Sequence, residues 1–202
     1  MLEDIRAHDP SHGLRLNTLI KLRWLAIIGQ SAAVIVVAFG LDFPLPVGMC
    51  FALIAASAWL NVHLALRYSV AHRLAPLPAL GILTFDAFQL AGLLYMTGGL
   101  TNPFSLLMTV PVVISATSLP LRWTALLGFL VVALTTALAV FHRPLPWFPG
   151  TELVMPLIYI IGVWIAVVSS IAFTGVYAYR VAKEARLLAN ALAATELVLQ
   201  RE

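Results

Sequence analysis

Charge is what this chain has least of. Asp, Glu, Lys and Arg make up 10% of its 202 residues, and 61% are hydrophobic. A soluble domain carries about 25% charged residues. No soluble core would hide this much apolar surface, so the composition excludes a water-soluble globule and puts the chain in a bilayer. Cysteine is nearly absent too. The single Cys50 rules out an internal disulfide framework. Nothing electropositive stands near it in sequence to lower its thiol pKa, so it reads as a small apolar filler. The apolar runs lack the strict alternation of barrel strands, which leaves helix as the spanning structure. No His/Cys/Asp/Glu spacing suits a metal, and there is no phosphate loop or nucleic-acid patch. A haem would need two histidines facing each other at depth. His63 has no such partner and reads as a satisfied interfacial residue. A cleavable leader is not expected, because Glu3, Asp4 and Asp9 crowd the start and no small-residue cleavage site follows a short apolar stretch.

What is present is a series of apolar runs. A spanning helix takes about 20 residues. The runs predict spans at residues 19–41, 47–66, 79–97, 104–119, 124–141 and 153–179. The fourth is short and holds Pro111, so it is expected to be thinned, kinked or partly re-entrant. Tryptophans and tyrosines near the span ends fit an aromatic belt. The fold class is all-α: a polytopic six-helix bundle followed by a cytoplasmic signalling helix. The expected divisions are an N-terminal cytoplasmic segment at 1–18, a membrane domain at 19–180 and a linker helix at 181–202.

The basic residues then orient the bundle. With six spans, every Lys and Arg except Arg143 falls on one face, counting Lys21 and Arg23 as flanking the first span. By the positive-inside rule that face is cytoplasmic, as are both termini.

Residues 98–104, GGLTNPF, then lie on the opposite face, between spans three and four. The loop has no charge. Gly98 and Gly99 allow backbone angles and close approaches closed to other residues. Asn102 offers two N–H donors and an acceptor, Pro103 suits a first helical turn, and Phe104 offers a flat apolar face. Two readings stand. The loop binds a small planar ligand with carbonyl oxygens arriving from the lipid, or it is a turn in which Asn102 caps the next helix. Asp86 is the one carboxylate deep inside a span, and Gln89 shares its helix face. They form either a polar relay linked to a proton or ligand, or a packing contact that fixes two helices. Asp86 lies twelve residues before Gly98, roughly 18 Å along a helix, so the two are not expected to meet one headgroup.

Beyond Arg180 the composition changes. Val181, Ala185, Leu188, Leu192, Thr195 and Leu199 recur at spacings of four and three, the pattern of a coiled-coil seam. An amphipathic helix lying on the membrane is the other reading, since the basic residues cluster at its start. The pattern is still running at Glu202, and an output module is expected to follow.

GGLTNPF resembles the GGxxNPF heptapeptide of the RegB/PrrB-type redox sensor histidine kinases. The stretches LRLNTLIKLRWLAIIGQ, VPVVISATSLP and AFTGVYAYRVAKEARLLANALAATELVLQRE are also similar to that family, so the resemblance covers nearly the whole chain. It implies a dimeric kinase with a six-span input domain in the bacterial inner membrane that senses ubiquinone, paired through 181–202. It marks Gly98, Gly99, Asn102, Pro103 and Phe104 as the quinone site, with Asn102 donating to a carbonyl and the glycines letting the headgroup approach. Phe104 would pack on the ring with Tyr95 or Trp147 beside it. The implied cytoplasmic partner is a RegA/PrrA-type response regulator, and in the family an oxidised pool restrains the kinase. The catalytic and phosphoacceptor parts are implied to lie beyond Glu202, so no catalytic residue is expected here. The competing expectation is a small proton-coupled transporter or a quinone-linked membrane enzyme subunit built on Asp86.

Overall fold

A computed structural model of the chain describes residues 14–69, 73–148, 151 and 153–199. Six helices dominate. Helix α1 (Leu16–Ile35) ends in a π-helical turn, Val36–Gly40. Helix α2 is Val47–Arg67. Helix α3 is Pro76–Met96, with prolines in its first turn, where a missing N–H costs no helical bond. A short 3-10 turn, Gly99–Thr101, precedes a 3-10 helix, Pro103–Thr109, which passes into α4 (Val110–Ser118). Helix α5 is Leu121–Val140, and α6 runs for 43 residues, Leu157–Leu199. The fold is all-α as expected, and among the described residues two two-residue strands are the exceptions to helix and loop. β1 (Leu14–Arg15) pairs antiparallel with β2 (Arg73–Leu74) and ties the start of α1 to the start of α3.

Among the described residues, five helices are long and apolar enough to cross a membrane, and Pro103–Ser118 is a shorter sixth apolar segment. Its two halves have a common cause. Pro111 has no N–H for the carbonyl of Leu107, and its ring would crowd that carbonyl in an α-helix. The Leu107 carbonyl instead accepts from Val110, the tighter i to i+3 pattern. A 3-10 helix rises about 2.0 Å per residue, so seven such residues and nine α-helical ones extend roughly 28 Å. That approaches the ~30 Å hydrocarbon core despite the low residue count.

The first helix starts at Leu16, three residues before the expected 19, and Lys21 and Arg23, counted as flanking the first span, lie within it. The helix expected to run on from the last span over 181–202 is the end of α6. Helix α6 runs unbroken through Arg180 to Leu199, and Val181, Leu188 and Leu192 are exposed in the single chain. The expected N-terminal segment 1–18 and linker 181–202 each fall partly outside the described residues, at 1–13 and 200–202. So do Arg6, Arg201 and His72.

Helices α3 to α6 pack on one another, and α1 packs mainly on α2, which in turn meets α3. The larger buried cluster includes Leu83, Leu94, Met108, Leu127 and Val167. A smaller one joins Ile27, Val34, Cys50, Ile54 and Leu93, with Cys50 as the small buried filler. Between the α1–α2 arm and the rest lies a cleft, lined by Asn102, Pro103 and Phe104 and by Asp86 and Gln89.

Candidate functional site

The motif loop is a self-contained turn. Gly98 (φ 109°) and Gly99 (φ 56°) both occupy the left-handed region. A Cβ on Gly98 would stand 2.6 Å from Leu145 Cδ1, and one on Gly99 would stand 2.6 Å from His142 Cγ and from the Leu138 carbonyl oxygen. The glycines therefore let the loop sit against the end of α5 and the segment after it. Both are buried.

Asn102 locks the turn from the other side. Its Nδ2 donates to the Thr97 carbonyl at 3.0 Å and to Thr97 Oγ1 at 2.8 Å, and its Oδ1 accepts from Phe104 N–H at 2.8 Å. The last of these is an N-cap on the 3-10 helix. Thr97 Oγ1 in turn donates to Leu93 O at 2.8 Å, and Thr101 Oγ1 donates to Gly98 O at 2.6 Å. Both amide hydrogens of Asn102 are thus engaged inside the loop. Phe104, by contrast, is 47% exposed.

Asn102, Pro103 and Phe104 form one end of a cleft of about 730 Å³ that also reaches Arg23, Gln30, Asp86 and Gln89. Trp147 and Phe43 flank the loop end, their ring centroids 5.3 Å apart, and Phe148 meets Phe43 edge-on at 5.0 Å. Tyr95 is exposed, and its carbonyl accepts from Arg143 N–H at 2.9 Å. Helix α1 makes room for the cleft with small residues three and four apart: Ala26, Gly29 and Ala33.

The far end of the cleft is polar. On α1 the buried stripe reads Leu16, Leu19, Arg23, Ile27, Val34, so Arg23 occupies a core position, 4% exposed. Its Nη1 donates to Asp86 Oδ1 on α3. Its Nη2 donates to the carbonyl and the hydroxyl of Ser57 on α2, each at 3.1 Å. The guanidinium lies over the Phe85 ring, 5.7 Å from its centroid. Two turns along α1, Gln30 exchanges hydrogen bonds with Gln89: Gln89 Nε2 to Gln30 Oε1 at 3.0 Å and the reverse at 3.4 Å. Farther toward the start of α1, Asn61 of α2 donates to the Ile20 carbonyl at 3.1 Å. Three helices are thus pinned by polar contacts inside apolar surroundings, where an unpaired charge is costly.

The residues singled out from sequence therefore divide. Asn102, Pro103, Phe104, Asp86 and Gln89 line one cleft, although twelve residues separate Asp86 from Gly98. Gly98 and Gly99 pack into the protein instead. Arg23, Gln30 and Ser57 went unrecognised. A basic residue near the start of an apolar run reads as a flanking charge, but the seven-residue spacing from Arg23 to Gln30 puts both on one face and was open to reading.

No family model and no solved structure matches the chain. Two curated relatives do. A sensor histidine kinase RegB of Cereibacter sphaeroides is 45% identical over 188 residues, 93% of this chain and 41% of the relative. A second RegB of that species is 46% identical over 189 residues, 94% of this chain and 41% of the relative. The chain thus spans about two fifths of the length of the curated relatives it matches. Similarity at this level over nearly the whole of a strongly apolar helical chain identifies it as a RegB-type sensor-kinase membrane domain.

Proposed function

We propose that this domain is the input half of a two-component redox sensor, reading the oxidation state of ubiquinone in the bacterial inner membrane. The observation that carries the reading is the cleft itself. It is apolar along its length, large enough for a ring and part of a chain, and bounded by the GGLTNPF loop at one end and polar side chains at the other. In this reading Phe104, Pro103 and Trp147 hold the ligand by ring and apolar contact. Asn102 and the glycines set the shape of the loop that presents them. Oxidised and reduced ligand differ in hydrogen bonding, and only a difference in affinity between two arrangements of the helices shifts their balance. Helix α6 is continuous from the bundle into the linker, which supports it as the element that carries the shift to a cytoplasmic kinase. The exposed seam of Val181, Leu188 and Leu192 is what a second copy would cover in a homodimer. Both termini are cytoplasmic by the placement of basic residues, and the downstream partner is a RegA/PrrA-type response regulator.

The test is saturable quenching of tryptophan emission by a short-chain ubiquinone in detergent. Phe104→Ala is expected to weaken binding about tenfold, from loss of buried ring contact. Gly29→Leu provides an independent block. Gly29 lines the cleft, and a Cβ there meets no atom within 4 Å. The substitution fills the cleft without disturbing the packing, so binding is expected to vanish while thermal stability holds. Unchanged binding in both variants would sink the cleft as the ligand site.

A further inference from the structure

Positive charge gathers where α1 and α2 meet the start of α3. Helices α1 and α2 are antiparallel, since Asn61 bonds at Ile20 and Ser57 at Arg23. Arg67 lies six residues beyond Asn61, and Leu14 six before Ile20. Arg67 therefore ends α2 level with β1. The strand register then sets Arg15 of β1 opposite Arg73 of β2. Their neighbours Leu16, Leu64 and Leu74 are buried in one cluster. Arg67 and Arg73 are exposed, and the Arg67 guanidinium lies 6.0 Å from the centroid of the Tyr68 ring. Between residues 14 and 180 the acidic residues are Asp42, Asp86 and Glu152. Asp42 and Glu152 fall in the α1–α2 and α5–α6 connections, and Asp86 is inside α3, bonded to Arg23. Beside the arginines the surface turns apolar. Trp59 and Leu66 of α2 are 77% and 83% exposed. His63, one turn before Arg67 on the same helix, is exposed as well.

We propose that Arg67 and Arg73, with Arg15 across the strand pair, form a headgroup site for an anionic phospholipid, whose acyl chains lie along Trp59 and Leu66. Charge complementarity carries the choice of ligand. A guanidinium presents a planar fork of donors that matches phosphate oxygens, two bonds at a time. Like charges opposite each other across a strand pair destabilise it, and a phosphate shared between them offsets that repulsion. The apolar strip beside the arginines separates a lipid from a free anion, because only a lipid brings chains to cover it. His63 adds a ring N–H at the depth of the ester oxygens. By the placement of basic residues this is the cytoplasmic leaflet, where anionic lipid attracts Lys and Arg. The site also has a mechanical consequence. Arg67 ends α2 while Arg73 leads into α3, so one phosphate held by both ties the α1–α2 arm to the bundle, at the end where β1 and β2 already join α1 to α3.

The inference does not depend on what occupies the cleft. To test it, the chain in detergent at low salt is titrated with phosphatidylglycerol and, separately, with phosphatidylcholine of the same acyl chains. Native mass spectrometry counts the lipid bound. The wild type is expected to hold one phosphatidylglycerol about tenfold more tightly than phosphatidylcholine. Arg67→Gln and Arg73→Gln should each weaken phosphatidylglycerol about fivefold, the worth of one basic residue near an anionic surface, and leave phosphatidylcholine unchanged. The double variant should lose the preference, and the single variants decide the matter should it fail to fold. Arg122→Gln removes a charge from the start of α5, which packs on α3, α4 and α6, and should stay within about twofold of the wild type. Phosphatidylglycerol should also raise the thermal unfolding midpoint of the wild type and not that of the double variant. Equal affinity of the wild type for the two lipids would overturn the site. So would equal losses in Arg73→Gln and Arg122→Gln, which would mean attraction spread over the whole face. Displacement of the lipid by glycerol 3-phosphate at equal concentration would overturn the lipid and leave a site for free phosphate.

Discussion

The two ends of the cleft spend their polar groups in opposite ways. At the loop end, Asn102, Thr97 and Thr101 bond to one another and to the backbone, and their product is a shape. At the deep end, Arg23, Asp86, Gln30 and Gln89 bond between helices and retain capacity. A conspicuous motif is thus a self-contained turn, while the polar contacts that tie one helix to another stand two helical turns or more away. The same contrast runs through the helices. In α3, 56% of the most apolar window is buried inside the protein, against 17% in α1. Helix α1 packs mainly on α2 and touches α3 little, so its polar pairs with α3 carry weight out of proportion to their number.

The largest effect should come from breaking the deep end unevenly. Asp86→Leu alone leaves Arg23 buried and unpaired, which costs about 3–5 kcal/mol. Arg23→Met/Asp86→Leu removes both charges and should cost far less, because a matched apolar pair of similar size is tolerated where half an ion pair is not. Thermal unfolding in detergent, single against double, reads the difference. Equal losses would mean that the guanidinium reaches water when unpaired.

Next come the glycines, which test the loop end without touching the cleft. Gly99→Ala puts a methyl 2.6 Å from the Leu138 carbonyl oxygen and from His142 Cγ, at φ 56°. Gly98→Ala meets Leu145 at φ 109°. Each should lose about 1–3 kcal/mol from left-handed strain and contact, seen as a lower unfolding midpoint. Were these glycines instead a ligand surface, Ala would leave stability alone and weaken quinone binding.

How much of this was open to reading follows from the kind of information each feature needs. Helix content needed only hydropathy, and the second span was placed at residue 47, where α2 begins. Pro111 announced an irregular fourth span, though not that 3-10 geometry would stretch it to nearly membrane depth. Arg23 was counted among the charges flanking the first span because a rule that weighs each residue alone cannot see what a basic side chain pairs with inside a bundle. Its partner is 63 residues away in sequence, and pairing at that distance is a property of the packed bundle. The glycines pointed to unusual backbone angles, which they have. Which atoms would occupy the space beside them depended on the end of α5 folding back to the loop.

The smallest effect bears most directly on the comparison. The Asn102 amide either belongs to the turn or is held ready for a ligand. Asn102→Ala should cost about 1 kcal/mol, the usual worth of an N-cap. Asn102→Ser keeps a cap for Phe104 N–H but cannot reach Thr97 in the same way, and should lose less. Thr97→Val removes the Oγ1 that receives one Nδ2 hydrogen at 2.8 Å. Because Asn102→Ala and Thr97→Val delete the same bond from its two sides, their combination should fall short of the sum by about 0.5–1.5 kcal/mol. That coupling, measured by unfolding without ligand, would fix the amide in the turn. Strict additivity would mean the amide is not bonded to the Thr97 hydroxyl in the folded protein, and a ligand donor would return to the loop end of the cleft.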